Sequence, residues 1–499
     1  QSQIAEATYA IEGLSKLALI IGQISRQITV LEPVMGRKVL PNEHKKFYSA
    51  FRLLSFLMTE QLKLVENVDK NAVLLQLMMI LQVELPDTLK LQVVQNKSVQ
   101  TDYSMLGSFS TVIMQFEQIT MVFNQVQSAL RQYLEQKRLF FPRFYFLSDN
   151  DVLEILANAN SSCEKTINPH CKKMFMAIEK LVFEENKITG IVSIDGETLQ
   201  LSQPVLYGQL PPELWLNQLS LSIKQTIKSE ICKVLLLPEV KQENIQKMTL
   251  QSDFDINKSY QTMKSQISPI GISDQFYNIK EIQKSIQTNI DLNSASGEAI
   301  AIAYAIQFTA QVDYAIFSNG GQDKDKILKS ITERQQKLLK GFTQQLYEPE
   351  ISTATFGSKQ YVIQQKLKLL ATDSIHALNV LQSLAETPNS SWVWNKELKS
   401  RIHRTGDLYF IGQDSFIPYT YEYQGLQQRL IHTPLTDKGF ATLISACAVE
   451  KSANLRGPAG TGKTETVKFF TAKLGRPCIV FNCDSAIDRE NLSRSDTNQ

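Results

Sequence analysis

The feature that most constrains the fold is a glycine-rich octapeptide near the end of the sequence, Gly457-Pro458-Ala459-Gly460-Thr461-Gly462-Lys463-Thr464. It fits the G-x-x-x-x-G-K-[ST] pattern, in which backbone N–H groups of a loop face the phosphates of a nucleotide. Lys463 would then reach the β- and γ-phosphates, and the hydroxyl of Thr464 would bind Mg²⁺. The pattern predicts that the chain binds a nucleoside triphosphate or descends from chains that did. An ordinary glycine-rich turn is the alternative.

The residues after the loop support a nucleotide-binding unit. Apolar residues at helical spacing predict a helix over 464–474, with Gly475 as its left-handed C-terminal residue. The apolar run 478–481 predicts a buried parallel strand. Residues 452–456, where a strand should precede the loop, are poorly apolar. Loop, helix and following strand still make most of a βαβ unit that binds phosphate at a helix N-terminus.

An apolar turn lies just upstream of the loop and ahead of a helix expected over 438–448. Such a turn is well placed to sandwich an adenine ring, and a simple packing turn of the same domain is the alternative. The residues predicted to form this wall are Leu430, Ile431, Pro434 and Leu435.

Composition limits the classes of protein that remain. The 499 residues, 43% of them hydrophobic, are sufficient for two or more domains with real cores. With 52 basic and 50 acidic residues there is no electrostatic case for nucleic acid. The apolar run 299–306 is too short to cross a bilayer, and no signal peptide is visible. Six cysteines without a C-x-x-C pair indicate reduced thiols. We therefore expect a soluble intracellular protein.

The first 400 residues read as mainly helical with one β insert. Asp195-Gly196 predicts a two-residue type I′ turn between strands 187–194 and 197–201, and residues 181–183 predict a third strand. Further patterns predict helices over 11–28, after Pro41, over 109–133, after Asp149, after Pro211, and over 298–318, 324–345 and 359–386. The seam of 109–133 fits packing within its own domain, with a coiled coil to a partner as the alternative. This region contains no recognisable catalytic constellation.

Several of these stretches resemble one family, the dynein heavy chains. Residues similar to the first AAA+ module of that family are 430–437, 457–468 and 474–483. Residues similar to its linker are 141–148, 153–156 and 168–175. Within the family, residues 31–37, 419–425 and 481–484 look most like the second cytoplasmic class, the retrograde motor of intraflagellar transport, with an axonemal dynein next.

The resemblance implies a mainly α fold. An elongated helical linker would span residues 1–417, with a small β-hairpin insert at about 181–201. The beginning of an α/β P-loop AAA+ domain would follow over 418–499. ATP and Mg²⁺ are the implied cofactors. The implied nucleotide-binding residues are Gly457, Pro458, Ala459, Gly460, Thr461, Gly462, Lys463, Thr464 and Glu465, with Leu430, Ile431, Pro434 and Leu435 against the adenine.

The resemblance also implies a mechanism and partners. In the full-length chain, ATP hydrolysis would swing the linker and drive minus-end-directed movement along microtubules, which are contacted by other parts of the motor. Dynein intermediate, light-intermediate and light chains and a second heavy chain would be partners. The location would be the cytoplasm and cytoskeleton, in a cilium or axoneme.

The sequence stops at Gln499, before any Walker B strand or arginine finger, so no catalytic residue can be named from it. The chain is then expected to be either part of a full heavy chain or a truncated product. A non-motor scaffold with a nucleotide-binding or vestigial loop is the alternative function.

Overall fold

The computed structural model describes residues 128, 130–159, 163–237, 276–277, 282, 292–293, 295–317, 323–387, 390–413, 415–426 and 429–480. The chain divides into two compact units, residues 1–159 and 160–499. The helices predicted over 11–28 and after Pro41, and most of that over 109–133, lie outside the described residues. The family boundary at 417/418 stays a prediction, and residues on both of its sides belong to the second unit.

The described part of the first unit is helical. Its elements are α1 (130–140), a 3₁₀ turn (Pro142–Phe146) and α2 (Asp149–Asn158). Phe141 and Phe144 are buried and meet edge to face, 5.0 Å between ring centroids. Helix α2 is capped by the residue that precedes it, Ser148. The hydroxyl of Ser148 accepts a hydrogen bond from the backbone of Asp151 and fills that role, because a cap must lie outside the helix.

The second unit begins with a small antiparallel sheet between two helices. The elements are α3 (Cys163–Met174), β1 (Ile178–Glu184), β2 (Lys187–Ser193), β3 (Thr198–Leu206) and α4 (Pro212–Val234). The strands pair in the order β1-β2-β3, which confirms the predicted β insert and its third strand.

The turn between β2 and β3 differs from the predicted type I′ turn. That turn needs φ > 0 at both central residues, and here Gly196 has φ +86° while Asp195 has a negative φ. The N–H of Gly196 donates to the carbonyl of Ser193 at 3.0 Å, and the N–H of Ser193 donates to the carbonyl of Glu197 at 2.8 Å. This is a three-residue loop with a type I turn and a bulge at glycine, a geometry that suits one left-handed residue.

Four helices form the body of the second unit. They are α5 (Gly297–Phe317), α6 (Lys324–Leu346), α7 (Lys359–Glu386) and α8 (Ser390–Lys396), with a helical turn at Pro349–Ser352. The predicted bounds of α5, α6 and α7 are confirmed to within one residue. One apolar cluster joins these helices, formed by Val312, Ala315, Ile316, Leu328, Ile331, Val380, Leu381, Leu384 and Trp394.

Helix α5 is the central element of this body. By length and composition it is the one helix among the described residues that is apolar enough to cross a membrane, yet 67% of its most apolar stretch is buried inside the protein. It packs against α4, α6, α7 and the strand that begins at Lys399. Helix α5 is therefore accounted for as a core helix.

Trp394 fastens α8 to this core. Its side chain is 2% exposed, and its indole N–H donates to Asp313 of α5 at 2.7 Å. Trp392 is 57% exposed and has the ammonium of Lys396 over its ring. Of these two tryptophans, Trp394 anchors α8 to the core.

A second three-stranded antiparallel sheet follows, which the sequence patterns did not predict. Its strands are β4 (Lys399–Ile402), β5 (Leu408–Gly412) and β6 (Ser415–Pro418), in the order β4-β5-β6. The central strand β5 is buried at every residue, so it shows a continuous apolar run without the alternation of a half-exposed strand.

Two helices complete the described chain, α9 (Pro434–Ala448) and α10 (Lys463–Lys473). Helix α9 begins four residues earlier than predicted, because Thr433 and Thr436 form a reciprocal capping box with Pro434 at the first helical position. Helix α10 ends one residue before the predicted position. Gly475 is left-handed, and the N–H groups of Gly475 and Arg476 donate to the carbonyls of Ala472 and Thr471.

Residues 419–424, which we call the tyrosine strap, cross from β6 towards α9 and are bonded to a buried carboxyl group. Glu298 at the start of α5 accepts hydrogen bonds from the hydroxyl of Tyr419 and from the backbone N–H of Gln424, the latter at 2.8 Å. Burial raises the pKa of Glu298 to about 8, so the carboxyl is largely protonated at pH 7.

A second buried carboxylate binds the same region. Glu197, in the β2–β3 loop, pairs with Lys366 of α7 at 2.9 Å and accepts from the backbone N–H of Gly297 at 2.9 Å. Its other oxygen accepts from the hydroxyl of Tyr423 at 2.8 Å. One carboxylate thus joins the first sheet, α5, α7 and the strap, and each of its oxygens has a partner.

The protonated Glu298 predicts a defined pH dependence of stability. Its folded pKa lies above the value of about 4.3 expected in the unfolded chain, so its contribution is complete below that pH and is lost as pH rises towards about 8. Glu298→Gln, which mimics the protonated acid, should remove this slope, at most about 1.4 kcal/mol per pH unit. Chemical unfolding of both proteins between pH 5 and 9 measures this slope.

Glu333→Gln, at an exposed position of α6, is the control and should keep the wild-type slope. Parallel curves for wild type and Glu298→Gln would contradict the assignment.

Gly475 predicts a large effect of a single methyl group. A Cβ there would lie 2.5 Å from ring atoms of Tyr419, and φ is +61°. We expect Gly475→Ala to lower the free energy of unfolding by about 2–4 kcal/mol, through overpacking and backbone strain. Gly341→Ala is the matched control, because a Cβ on that helical glycine meets nothing within 4 Å. It should raise stability by about 0.5–1 kcal/mol. Equal effects of the two substitutions in chemical unfolding would refute this account.

Candidate nucleotide-binding site

The glycine-rich loop has the backbone that phosphate binding requires. Gly460 and Gly462 are left-handed, with φ of +78° and +74°. Gly462 is the residue before α10, and no side chain caps the helix. The first N–H groups of a helix have no partner within it, and the helix dipole adds partial positive charge there. The loop therefore presents a set of donors to an anion.

Lys463 lies at the mouth of this loop. Its ammonium donates to the carbonyl of Gly457 at 2.9 Å, to the carbonyl of Pro458, and to the hydroxyl of Thr461 at 3.3 Å. The Thr461 hydroxyl in turn donates to the carbonyl of Pro458 at 3.0 Å. A phosphate oxygen would compete with these neutral acceptors for the same ammonium, and charge-assisted bonds are the stronger ones.

The loop is accessible from outside. Pro458, Ala459 and the three glycines are exposed, and a Cβ built on Gly460 or Gly462 meets no atom within 4 Å. Thr464 is also exposed, in the first turn of α10. The room and the donor set fit a polyphosphate.

Two of the predicted polar ligands differ in what they offer. The hydroxyl of Thr464 can supply one oxygen to Mg²⁺. The carboxylate of Glu465 is paired with Lys468 at 2.8 Å. The described residues contain no group of three His, Cys, Asp or Glu side chains that could hold a metal ion. Thr464 therefore fits a Mg²⁺ that takes its remaining ligands from phosphates and water.

The predicted adenine wall is divided between a loop and a helix. Leu430 and Ile431 precede the capping residue of α9, whereas Pro434 and Leu435 form its first turn. Ile431 is 71% exposed and Leu435 is 68% exposed. Exposed large apolar side chains are available to a ligand, and they contribute little to packing of the protein itself.

His432 holds the wall against α10. Its ring stacks on that of His376 from α7 at 3.7 Å and meets the edges of Phe440 in α9 and Phe469 in α10. Burial lowers the pKa of His432 to about 4, so the ring is neutral at pH 7 and packs as an aromatic group. The sequence patterns did not single out this residue, because its partners are distant in sequence.

Helices α9 and α10 approach closely at a glycine. A Cβ on Gly439 would lie 3.0 Å from the methyl group of Thr466, and Phe440 packs on Phe469 and Phe470. The wall and the loop are thus carried by two helices that share one packed interface. That the wall and the loop bind the same nucleotide stays a prediction.

A strand was predicted over 478–481, but residues 478–480 form none. Residues 452–456 are also without regular structure. The backbone N–H of Cys478 donates to the sulfur of Met176 at 3.1 Å and so is not available for a strand ladder. Parallel pairing needs a neighbouring strand, and no strand lies beside this segment among the described residues. Phe481 lies outside them.

Comparisons with known proteins agree with these features. Residues 1–234 match the family described as dynein heavy chain, N-terminal region 2. Residues 419–495 match the family described as the hydrolytic ATP binding site of the dynein motor region, which includes the loop, the wall and the tyrosine strap.

Individual relatives are similar over most of this chain. Cytoplasmic dynein 2 heavy chain 1 of Tripneustes gratilla is 30% identical over 95% of the chain, and that of Caenorhabditis elegans is 30% identical over 95%. A cytoplasmic dynein heavy chain of Neurospora crassa is 28% identical over 76%. The chain spans only 9%, 9% and 8% of these relatives' own lengths.

Both family matches name the same motor protein, and they fall on the helical region and the phosphate-binding loop for which the resemblance was expected. This chain belongs to the dynein heavy-chain family.

Proposed function

We propose that this chain binds ATP with Mg²⁺ through residues 457–464 and forms the first nucleotide site and adjoining helical linker of a dynein motor. The observation that carries the proposal is the loop itself, with two left-handed glycines, an uncapped helix N-terminus and an ammonium at its mouth. The match of residues 419–495 to a hydrolytic ATP site supports it.

Each part of the site has a definite task in this proposal. The backbone N–H groups at the start of α10 bind the phosphates, and Lys463 moves from its own loop carbonyls to the β- and γ-phosphate oxygens. Thr464 supplies one oxygen to Mg²⁺, which when bound neutralises charge on the β- and γ-phosphates. Ile431 and Leu435 cover the faces of the base, since they are apolar and exposed.

The wider function belongs to the complete heavy chain. There, hydrolysis at this site drives the helical linker and moves the motor along microtubules, which other parts of the heavy chain contact. The names of the relatives support a cytoplasmic dynein of the second class. Ciliary transport is the role that the resemblance implies for that class, and it is part of this proposal. Dynein intermediate, light-intermediate and light chains and a second heavy chain are the partners that accompany this role.

Replacement of the loop lysine tests the proposal directly. We expect Lys463→Ala to weaken binding of Mg·ATP about 10- to 100-fold, because charge-assisted bonds to phosphate are lost. Isothermal titration of the 499-residue chain measures the dissociation constant. Lys337→Ala, an exposed lysine of α6, is the control and should bind as wild type.

The same substitution in a complete heavy chain distinguishes a motor from a scaffold. Loss of ATP-driven microtubule gliding with Lys463→Ala, and its retention with Lys337→Ala, is the result expected of a motor. Unchanged affinity for Mg·ATP in Lys463→Ala would overturn the nucleotide site itself.

The proposed adenine wall predicts a loss of affinity that occurs only for ligands that carry a base. We expect Leu435→Ala to weaken ATP binding about 5-fold. The leucine side chain is exposed in the free protein, and the substitution removes apolar surface that would be buried against adenine. Binding of inorganic triphosphate should be unchanged. Leu236→Ala, at a leucine that is 60% exposed on α4's C-terminal side, is the matched control. An equal loss for ATP and triphosphate would assign Leu435 to the folding of the site.

A further inference from the structure

The tyrosine strap is hydrogen-bonded to the end of α10 that is opposite the phosphate-binding loop. The backbone N–H of Thr420 donates to the carbonyl of Leu474 at 3.2 Å, and that of Glu422 donates to the carbonyl of Gly475 at 2.9 Å. The hydroxyl of Thr420 also donates to the carbonyl of Gly475. These bonds hold the carbonyls of the two residues that directly follow α10, Leu474 and Gly475.

The other side of the strap is bonded to the helical body. Tyr419 and Gln424 both donate to Glu298 of α5, and Tyr423 donates to Glu197. Tyr421 accepts from the backbone N–H of Leu408 in β5 at 2.8 Å. Glu298 and the three tyrosines are buried, so these bonds lie in an environment that water does not weaken.

Beside the strap, α10 and the body do not pack closely. A cavity of about 100 Å³ lies between them, with Ile302 of α5 and His376 of α7 on one side and Ala472 and Lys473 of α10 on the other. Helix α10 also meets the body through His432, whose ring lies between His376 of α7 and Phe469 of α10. The strap is therefore the hydrogen-bonded connection that runs beside this aromatic contact.

Helix α10 runs from the phosphate-binding loop to the residues that the strap binds. It has 11 residues, so at 1.5 Å per residue its two ends are about 16 Å apart. Phe469 and Phe470 of this helix are buried. A displacement of one end would therefore be transmitted to the other, because close-packed interiors resist deformation.

We propose that the tyrosine strap transmits nucleotide binding from α10 to α5, with Thr420 and Glu298 as positioning residues that never touch the nucleotide. The inference rests on the proposed function, because it requires that the loop binds ATP. It adds the route by which that site acts on the helical body.

Hydrogen exchange of the whole chain, measured by mass spectrometry with and without Mg·ATPγS, tests the route. The strap amides of Thr420, Glu422 and Gln424 are reporters, because each donates to a residue directly after α10 or to Glu298. In wild type we expect nucleotide to slow exchange in peptides covering 463–466 and, by about 5-fold, in those covering 419–425.

Thr420→Val removes the hydroxyl bond to Gly475 while keeping the shape of the side chain. We expect it to retain protection at 463–466 and to reduce protection at 419–425 to less than 2-fold, and Thr420→Ser should restore it. Thr442→Val is the matched control, because that threonine bonds only within α9. It should behave as wild type.

The outcomes separate the two proposals. Protection at 463–466 without any change at 419–425 in wild type would overturn the strap as a route and leave the nucleotide site standing. Full protection at 419–425 in Thr420→Val would also overturn it. No protection in either region would overturn the nucleotide site, and the strap inference with it.

Discussion

One buried carboxyl group, that of Glu298, joins the tyrosine strap to the central helix α5. It receives hydrogen bonds from Tyr419 and from the backbone of Gln424, so it fixes both ends of the tyrosine strap to the first turn of α5. A buried carboxylate without such partners would cost far more than it contributes. Because burial keeps this group largely protonated at neutral pH, the strap is anchored by neutral hydrogen bonds, and α5 can remain in the core.

Local patterns predicted the helical part of this fold well. Helices α5, α6, α7 and α10 follow from apolar spacing and from their end signals, and Gly475 was identified from its place after α10. The phosphate-binding loop was equally predictable, because its chemistry depends on eight consecutive residues. These features are encoded by neighbours in sequence.

Features made by distant residues were not predicted. Strand β5 is buried on both faces, which removes the alternation by which a strand is recognised. His432 gains its role only from contact with His376 and Phe469, and Glu298 from contact with the strap. The prediction of a strand over 478–481 was wrong for residues 478–480, because an apolar run becomes a strand only beside a partner strand.

Lys463 shows what an anion would have to displace in order to bind at this loop. Its ammonium already has three oxygen partners within the loop, the carbonyls of Gly457 and Pro458 and the hydroxyl of Thr461. A small, singly charged anion must displace these acceptors with one weak contact, whereas a triphosphate offers several charged oxygens at once. An anion therefore gains at Lys463 only the amount by which its bond to the ammonium exceeds the bonds to these three acceptors.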